Sequence, residues 1–262
     1  DPERPGFLYR RDVGGSEFYQ LFFFDLAEGT STLLTDGVSR NTSALWSPDG
    51  SRIAYASTRR NGVDTDVWVG SLDPTDHVAV TEAEGSWAPV GFSPDGTRLI
   101  VRRYVSRSES HPFVVNLLTG TVTPIIDPAI PVRVDDLAFG PDGRSIYLTS
   151  DLGGEHVRLY RLDAPGAQPD AVTGDVAWDV EGFEFSPDGR FLAWAVNEEA
   201  RSRLYVRDLE RGSFVALPEL PEGVLSGLTF TADGRSLGFT LNGATSPGDV
   251  HAVDLASRRL VR

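Results

Sequence analysis

The sequence predicts an all-β fold, a β-propeller of four-stranded antiparallel blades. A short turn recurs through the chain, and alternating apolar residues flank every copy. The aspartates of the turn are spaced by 46, 47, 46 and 45 residues, a period typical of propeller blades. No segment keeps an apolar period of 3.6 residues, so helix content should be very low. The copies are Pro-Asp-Gly at 48–50, 94–96, 141–143 and 187–189, and Ala-Asp-Gly at 232–234.

The turn predicts a β-hairpin at each copy. Proline sets φ near −65° at the second turn position, aspartate bonds to its own backbone, and glycine takes a positive φ. Two further strand-like segments follow each hairpin, which makes one blade of four strands. We expect a single domain with six blades at about 7–36, 43–82, 88–126, 135–174, 181–217 and 226–262.

The first blade is predicted to lack its inner strand and the turn that would follow it. Residues 1–6 contain two prolines and read as a linker. The chain begins Asp1-Pro2-Glu3 and contains no methionine, so we expect a fragment of a longer parent protein. Seven blades are the expected number in that parent.

Composition excludes several classes of partner. The net charge is −14, which argues against binding nucleic acid through its phosphates. Cysteine is absent, so disulfides and thiolate metal sites are excluded, and no cofactor is predicted. No apolar run is long enough for a membrane span.

The topology of a four-stranded meander sorts the loops between two faces. The Pro-Asp-Gly turns and the strand 3–4 loops lie on one face, and the strand 2–3 and blade-to-blade loops lie on the other. The second set is longer and richer in charge, with strand 2–3 loops at 104–111, 197–203 and 242–249 among its members, so we expect the working face there. Its candidate residues for substrate or interdomain contacts are Arg40, Arg59, Arg60, Asp64, Arg103, Tyr104, Glu109, Trp178, Asp179 and Glu181.

Each group of candidates has a functional and a structural interpretation. Arg59 and Arg60 with Asp64 suit a peptide carboxylate or an interdomain contact, or form ion pairs within a solvated loop. Arg103, Tyr104 and Glu109 leave the same choice open.

The segment from Trp178 to Glu181 also has two interpretations. Trp178, Asp179 and Glu181 either meet a substrate amine or supply a structural aromatic and a carboxylate that caps backbone amides. A propeller enzyme with catalysis in its central channel would need converging carboxylates, and Asp136 and Glu184, with Asp135 and Glu181, are the candidates.

Several sequence segments resemble the propeller of prolyl-oligopeptidase-family serine peptidases, especially bacterial acylaminoacyl-peptidases and dipeptidyl-aminopeptidase-like enzymes. The Pro-Asp-Gly repeats themselves resemble those of TolB-like propellers. The segments are EFYQLFFFDL (17–26), SRNTSALWSPDGSRIAYASTRRNGVDTDVW (39–68), GSWAPVGFSPDG (85–96), AWDVEGFEFSPDGR (177–190) and TSPGDVHAVDL (245–255).

The resemblance implies a domain that gates access of short peptides to an α/β-hydrolase domain of the same parent chain and contributes to substrate binding. That hydrolase domain is absent from the sequence, so we expect no Gly-x-Ser-x-Gly nucleophile elbow anywhere in the chain, no triad and no catalysis by this chain. The resemblance implies a cytoplasmic enzyme without nucleic-acid or membrane partners. The alternative is a stand-alone, periplasmic TolB-like scaffold that binds a partner protein.

Overall fold

The computed structural model describes residues 5–174, 176–244 and 246–262, and these residues form β-strands without any helix. They divide into two compact units. The second unit consists of residues 133–163 and 168–262, and the first unit consists of the other described residues. The expectation of a single domain stays a prediction. Residues 1–4 of the predicted linker lie outside the described residues, and Gly6 already begins a strand.

The first unit contains three antiparallel sheets, each with its strands in chain order. Sheet A has three strands, β1 (Gly6–Arg11), β2 (Gln20–Asp25) and β3 (Thr30–Leu33). Sheet B is β4 (Asn41–Trp46), β5 (Ile53–Ser57), β6 (Asp66–Gly70) and β7 (Val78–Ala79). Sheet C is β8 (Ser86–Phe92), β9 (Arg98–Ser106), β10 (Glu109–Asn116) and β11 (Val122–Pro124).

The second unit contains three further antiparallel sheets of four strands each. Sheet D is β12 (Val134–Phe139), β13 (Ile146–Ser150), β14 (Arg158–Leu162) and β15 (Asp170–Ala171). Sheet E is β16 (Val180–Phe185), β17 (Phe191–Glu198), β18 (Arg201–Asp208) and β19 (Ser213–Phe214). Sheet F is β20 (Val224–Phe230), β21 (Ser236–Gly243), β22 (Ser246–Asp254) and β23 (Arg259–Val261). The predicted fold class is confirmed, and among the described residues the first blade has three strands and lacks the inner one.

The recurring turn forms because three local interactions agree. Each turn glycine has φ between 65° and 73° and donates its N–H to the residue three positions earlier. In sheet C, Ser93 Oγ donates to Asp95 at 2.5 Å and accepts the N–H of Arg98. Sheet D has Gly140 in place of that serine, and there Ser145 Oγ donates to Asp142 at 2.8 Å. The aspartate therefore receives a hydroxyl hydrogen bond in both arrangements.

Packing between neighbouring sheets of one unit provides the core. In the first unit, Ala54 and Val67 of sheet B pack with Leu99 and Val115 of sheet C, all fully buried. In the second unit, sheets E and F bury a corresponding cluster that contains Leu237. A blade alone cannot cover both of its faces, so this stacking supplies most of the apolar burial.

Three segments predicted as loops are instead hairpin arms. The strand 2–3 connections at 104–111, 197–203 and 242–249 are predicted to be loops, but most of the described residues in each of them belong to strands. Strands β9 and β10 continue to Ser106 and Glu109, and β17 and β18 continue to Glu198 and Arg201. Most residues of these arms are polar, so no apolar alternation marks them in the sequence.

Candidate functional site

Arg60 is the centre of the charged loop between β5 and β6. Its Nε lies 2.7 Å from Oδ2 of Asp66, whose side chain is fully buried, and its Nη2 donates to the carbonyl of Ala83 at 2.9 Å. Asp64 accepts the N–H of Gly85 at 2.8 Å, and this hydrogen bond holds the pKa of Asp64 below its usual value. The structure thus brings Arg60 and Asp64 together, as predicted. Both charged groups are already paired with groups of the chain itself.

Arg59 and Arg40 are more open to solvent. The guanidinium of Arg59 lies over the ring of Trp68, 4.9 Å from its centroid, and 4.0 Å from Asp36. Arg40 lies 3.9 Å from Glu17 with half of its side chain exposed. Ion pairs of this length at an exposed surface are weak, so these two contribute little to stability.

The β9–β10 arm carries three further candidates. Arg103 and Tyr104 are consecutive strand residues, so their side chains leave opposite faces of the sheet. Tyr104 is 47% exposed. Glu109 lies 2.9 Å from Nε2 of His111 on the same arm. The three candidates share one hairpin but do not form one cluster around Arg103.

In the second unit, Asp179 acts as a cap. Its Oδ1 accepts the N–H of Val157 at 2.9 Å and lies 3.5 Å from Nδ1 of His156. Its carbonyl accepts the N–H of Asn197. The neighbouring Trp178 is 40% exposed. The carboxylate that was predicted either to meet an amine or to cap an amide therefore has the capping contact.

Glu181 lines a cleft of about 340 Å³. It accepts hydrogen bonds from Nδ2 of Asn197 at 2.8 Å and from Oγ of Ser202 at 2.6 Å. Asp136 and Glu184 line the same cleft. Partial burial, and then the charge of Asp136, raise the pKa of Glu184. Carboxylates along one cleft create a negative potential that favours a cation such as a peptide amine.

A second cleft, not predicted from the sequence, lies beside the Pro-Asp-Gly turn of sheet E and the Ala-Asp-Gly turn of sheet F. The signal was available as an arginine in or just after several turns. That face carries the short turns and was not predicted to be the working face, so none of its residues was a candidate. The arginines that line the cleft are Arg190, Arg211, Arg235 and Arg258.

One short pattern in the sequence corrects the expectation that no Gly-x-Ser-x-Gly segment occurs in this chain. Residues 234–238 read Gly-Arg-Ser-Leu-Gly, which matches the spacing of the hydrolase motif. Ser236, however, begins β21 in a β-hairpin, where its N–H donates to Oγ1 of Thr231 at 3.1 Å. The elbow requires a strand-to-helix turn, so this match has the spacing without the structure.

Comparisons with known proteins agree with the predicted resemblance. No protein-family model matches the chain. The "Uncharacterized peptidase YuxL" of Bacillus subtilis is 24% identical over 177 residues, covering 68% of this chain and 25% of the relative. The chain therefore spans a quarter of the length of the curated relative it matches.

Solved structures of both predicted kinds share the fold. A puromycin-hydrolyzing peptidase of Mycobacterium tuberculosis matches 97% of this chain and 44% of its own, with a TM-score of 0.77 and 17% identity. A structure from a study of two prolyl endopeptidases matches 98% of this chain and 47% of its own, with a TM-score of 0.65 and 15% identity. TolB of Acinetobacter baumannii matches 97% of this chain and 62% of its own, with a TM-score of 0.63 and 19% identity.

An oligogalacturonate lyase in complex with manganese also matches, with a TM-score of 0.73 and 18% identity over 93% of this chain and 70% of its own. Peptidases, TolB and a lyase thus share one fold, and the fold by itself does not decide the chemistry. Within the described part of the chain, no helix has the length and apolarity needed to cross a membrane.

Proposed function

We propose that this chain is the non-catalytic propeller domain of a prolyl-oligopeptidase-type serine peptidase. In that role it restricts the hydrolase domain of the same parent protein to short peptides and contributes to substrate binding. The observation that carries the proposal is the match to a relative named a peptidase. The aligned segment covers 68% of this chain and a quarter of the length of that relative. The remaining length of that relative leaves room for a separate domain.

The carboxylate cleft of the second unit supports a contribution to substrate binding. Asp136, Glu181 and Glu184 line it, and a peptide carries a positive amine at its first residue. Carboxylates pair with ammonium groups through charge-assisted hydrogen bonds. We therefore assign the amino end of the peptide to this cleft.

Calorimetric titration tests the assignment on the 262-residue chain. Tri-alanine with a free amine should bind, and its N-acetylated form should bind about tenfold more weakly, because a charged hydrogen bond is lost. Glu184→Gln should weaken the free peptide by a similar factor, and the exposed Glu155→Gln should not. Equal affinity for both peptides contradicts the role in substrate binding.

Absence of catalysis is tested separately. The chain alone should not hydrolyse aminoacyl-p-nitroanilides. Turnover that a serine-directed reagent abolishes would contradict the non-catalytic assignment, and Ser236→Ala would then identify or exclude the serine of the 234–238 pattern. The role places the protein in the cytoplasm.

A stand-alone TolB-like scaffold in the periplasm is the second candidate. The TolB match over 97% of this chain favours it. A scaffold would capture a protein partner from a periplasmic extract and would ignore the free amine of a peptide. Pull-down with the intact chain, set beside the titration, separates the two candidates.

A further inference from the structure

A cleft of about 570 Å³ lies between sheets E and F in the second unit. Its volume is in the range of small-molecule sites. Four arginines, three aspartates and a group of apolar side chains line it. The lining therefore has one positive charge in excess, which suits a ligand with a single negative charge.

The three aspartates are directed to donors of the chain itself. Asp188 accepts the hydroxyl of Ser186 at 2.5 Å, and Asp233 accepts that of Thr231 at 2.6 Å. Asp208 is buried and accepts Nη2 of its neighbour Arg190 at 2.8 Å. These contacts keep the carboxylates ionised and in place without using the exposed arginines.

Arg211 and Arg235 have donors to spare. Their side chains are 74% and 80% exposed, and each lies 3.8 Å from its nearest carboxylate, Asp208 and Asp233 respectively. That distance is longer than a hydrogen bond. A guanidinium carries five N–H donors, so both side chains can bind an anion that enters the cleft.

Arg258 occupies a position where other blades have glycine. It has φ of 58°, and its N–H donates to the carbonyl of Asp254 at 2.8 Å. The equivalent turns in sheets A and C place Gly29 and Gly120 there, with φ of 66° and 72° and the same hydrogen bond. A side chain at positive φ is strained, and such strain concentrates at functional sites. Arginine at this position costs stability and supplies a cation to the cleft.

Two aromatic side chains, Phe191 and Phe214, contribute to the apolar part of the lining. Phe214 is 64% exposed and packs edge-on against Trp194, with ring centroids 5.7 Å apart. In sheet B, the second residue after the turn glycine is Arg52, which donates to the carbonyl of Gly96 in sheet C. Sheet E has Phe191 at that turn position, which has no side-chain donor, and the cleft beside it is open.

We propose that this cleft binds a carboxylate attached to an apolar group, with the carboxylate at Arg211, Arg235 and Arg258 and the apolar group against Phe191 and Phe214. Bidentate pairing of guanidinium with carboxylate supplies specificity for the anion. A peptide that ends in an aromatic residue and a free aryl-alkyl acid share this chemistry. The site lies beside the turns and does not depend on the proposed peptide gate.

Calorimetric titration of the intact chain with N-acetyl-Ala-Phe provides the test. The free acid should bind one-to-one, and the C-terminal amide should bind about tenfold more weakly because it lacks the charge. Arg211→Gln with Arg235→Gln should weaken the acid by at least that factor. Arg144→Gln is the matched control, since Arg144 follows the turn glycine of sheet D as Arg235 does in sheet F. Circular dichroism and melting temperature verify that each variant is folded.

Arg258→Gly separates binding from folding, because it should weaken the acid while raising the melting temperature. Titration with 3-phenylpropionate identifies the source of the carboxylate. Affinity equal to that of the peptide supports a free organic acid, and much weaker affinity supports a peptide end. The proposal is overturned by any of three results. These are equal affinity for the acid and the amide, an equal loss of affinity in Arg144→Gln, and no saturable binding of the acid in the millimolar range.

Discussion

The turn aspartates show how a single residue contributes to the fold. Ser93 is fully buried, and its hydroxyl both donates to Asp95 and accepts the N–H of Arg98. The hydrogen bond from Ser93 is the main cause that lowers the pKa of Asp95 to about 2. Ser47 has the same effect on Asp49, whose pKa is also about 2. Each turn thus depends on an ionised carboxylate.

These pKa values predict that the protein loses stability in acid. The ordinary pKa of aspartate is about 3.9, so the lowered folded pKa contributes stability that is complete above about pH 4. That contribution is lost as the pH falls through the folded pKa of about 2. Asp95→Asn should lower the melting temperature at neutral pH and flatten its fall between about pH 4 and pH 2. Scanning calorimetry at several pH values, with exposed Asp170→Asn as control, measures this; an unchanged slope contradicts it.

Arg258 allows a second prediction at the same scale. Its φ of 58° is strained for a residue with a side chain. Arg258→Gly should therefore raise the free energy of unfolding by about 1 kcal/mol. Urea denaturation measures the change. Arg259→Gly, one residue further in β23, is the control and should lower stability by about 0.5–1 kcal/mol, because glycine weakens a strand. A loss of stability in Arg258→Gly would show that the side chain stabilises the turn.

At the scale of elements, period and turn chemistry predicted the sheets but not the lengths of three arms. In sheet E, apolar alternation marks the part of each long strand that packs against its neighbours, and this part is visible in the sequence. Strands β17 and β18 extend further, to a two-residue turn at Glu199 and Ala200 with φ of 52° and 65°. Neither residue favours positive φ, so nothing in the sequence marks this turn.

The candidate site was predictable to the same extent. Arg60 and Asp64 are close in the chain, and their contact follows from one loop. Glu181 bonds to Asn197 and Ser202, 16 and 21 residues away. Those contacts depend on strand register, which a β-bulge shifts between Val180 and Gly182. Clefts between blades are harder still, because their residues come from turns of different repeats.

The turn of sheet F offers a prediction about one element. Ala232 stands where four other copies have proline, yet Gly234 donates to Thr231 at 2.8 Å as in those copies. Ala232→Pro should raise the free energy of unfolding by about 0.5 kcal/mol, since it reduces the freedom of the unfolded chain. Thermal denaturation measures it. Pro187→Ala in sheet E is the reverse control and should lower stability by a similar amount. A lower melting temperature for Ala232→Pro would show that the backbone at this turn differs from the other copies.

For the whole molecule, the predicted single domain implies one cooperative unfolding transition. Leu237 is fully buried in the second unit, and Leu237→Ala should cost about 2–5 kcal/mol. In a background with Trp178→Phe and Trp194→Phe, the remaining tryptophans belong to the first unit and report its unfolding by fluorescence. If the chain is one domain, Leu237→Ala lowers the melting temperature seen by these tryptophans as much as that seen by far-ultraviolet circular dichroism. Exposed Leu118→Ala is the control and should change neither. If the tryptophan signal of the first unit keeps its original midpoint in Leu237→Ala, the two units unfold independently and the single-domain prediction is wrong.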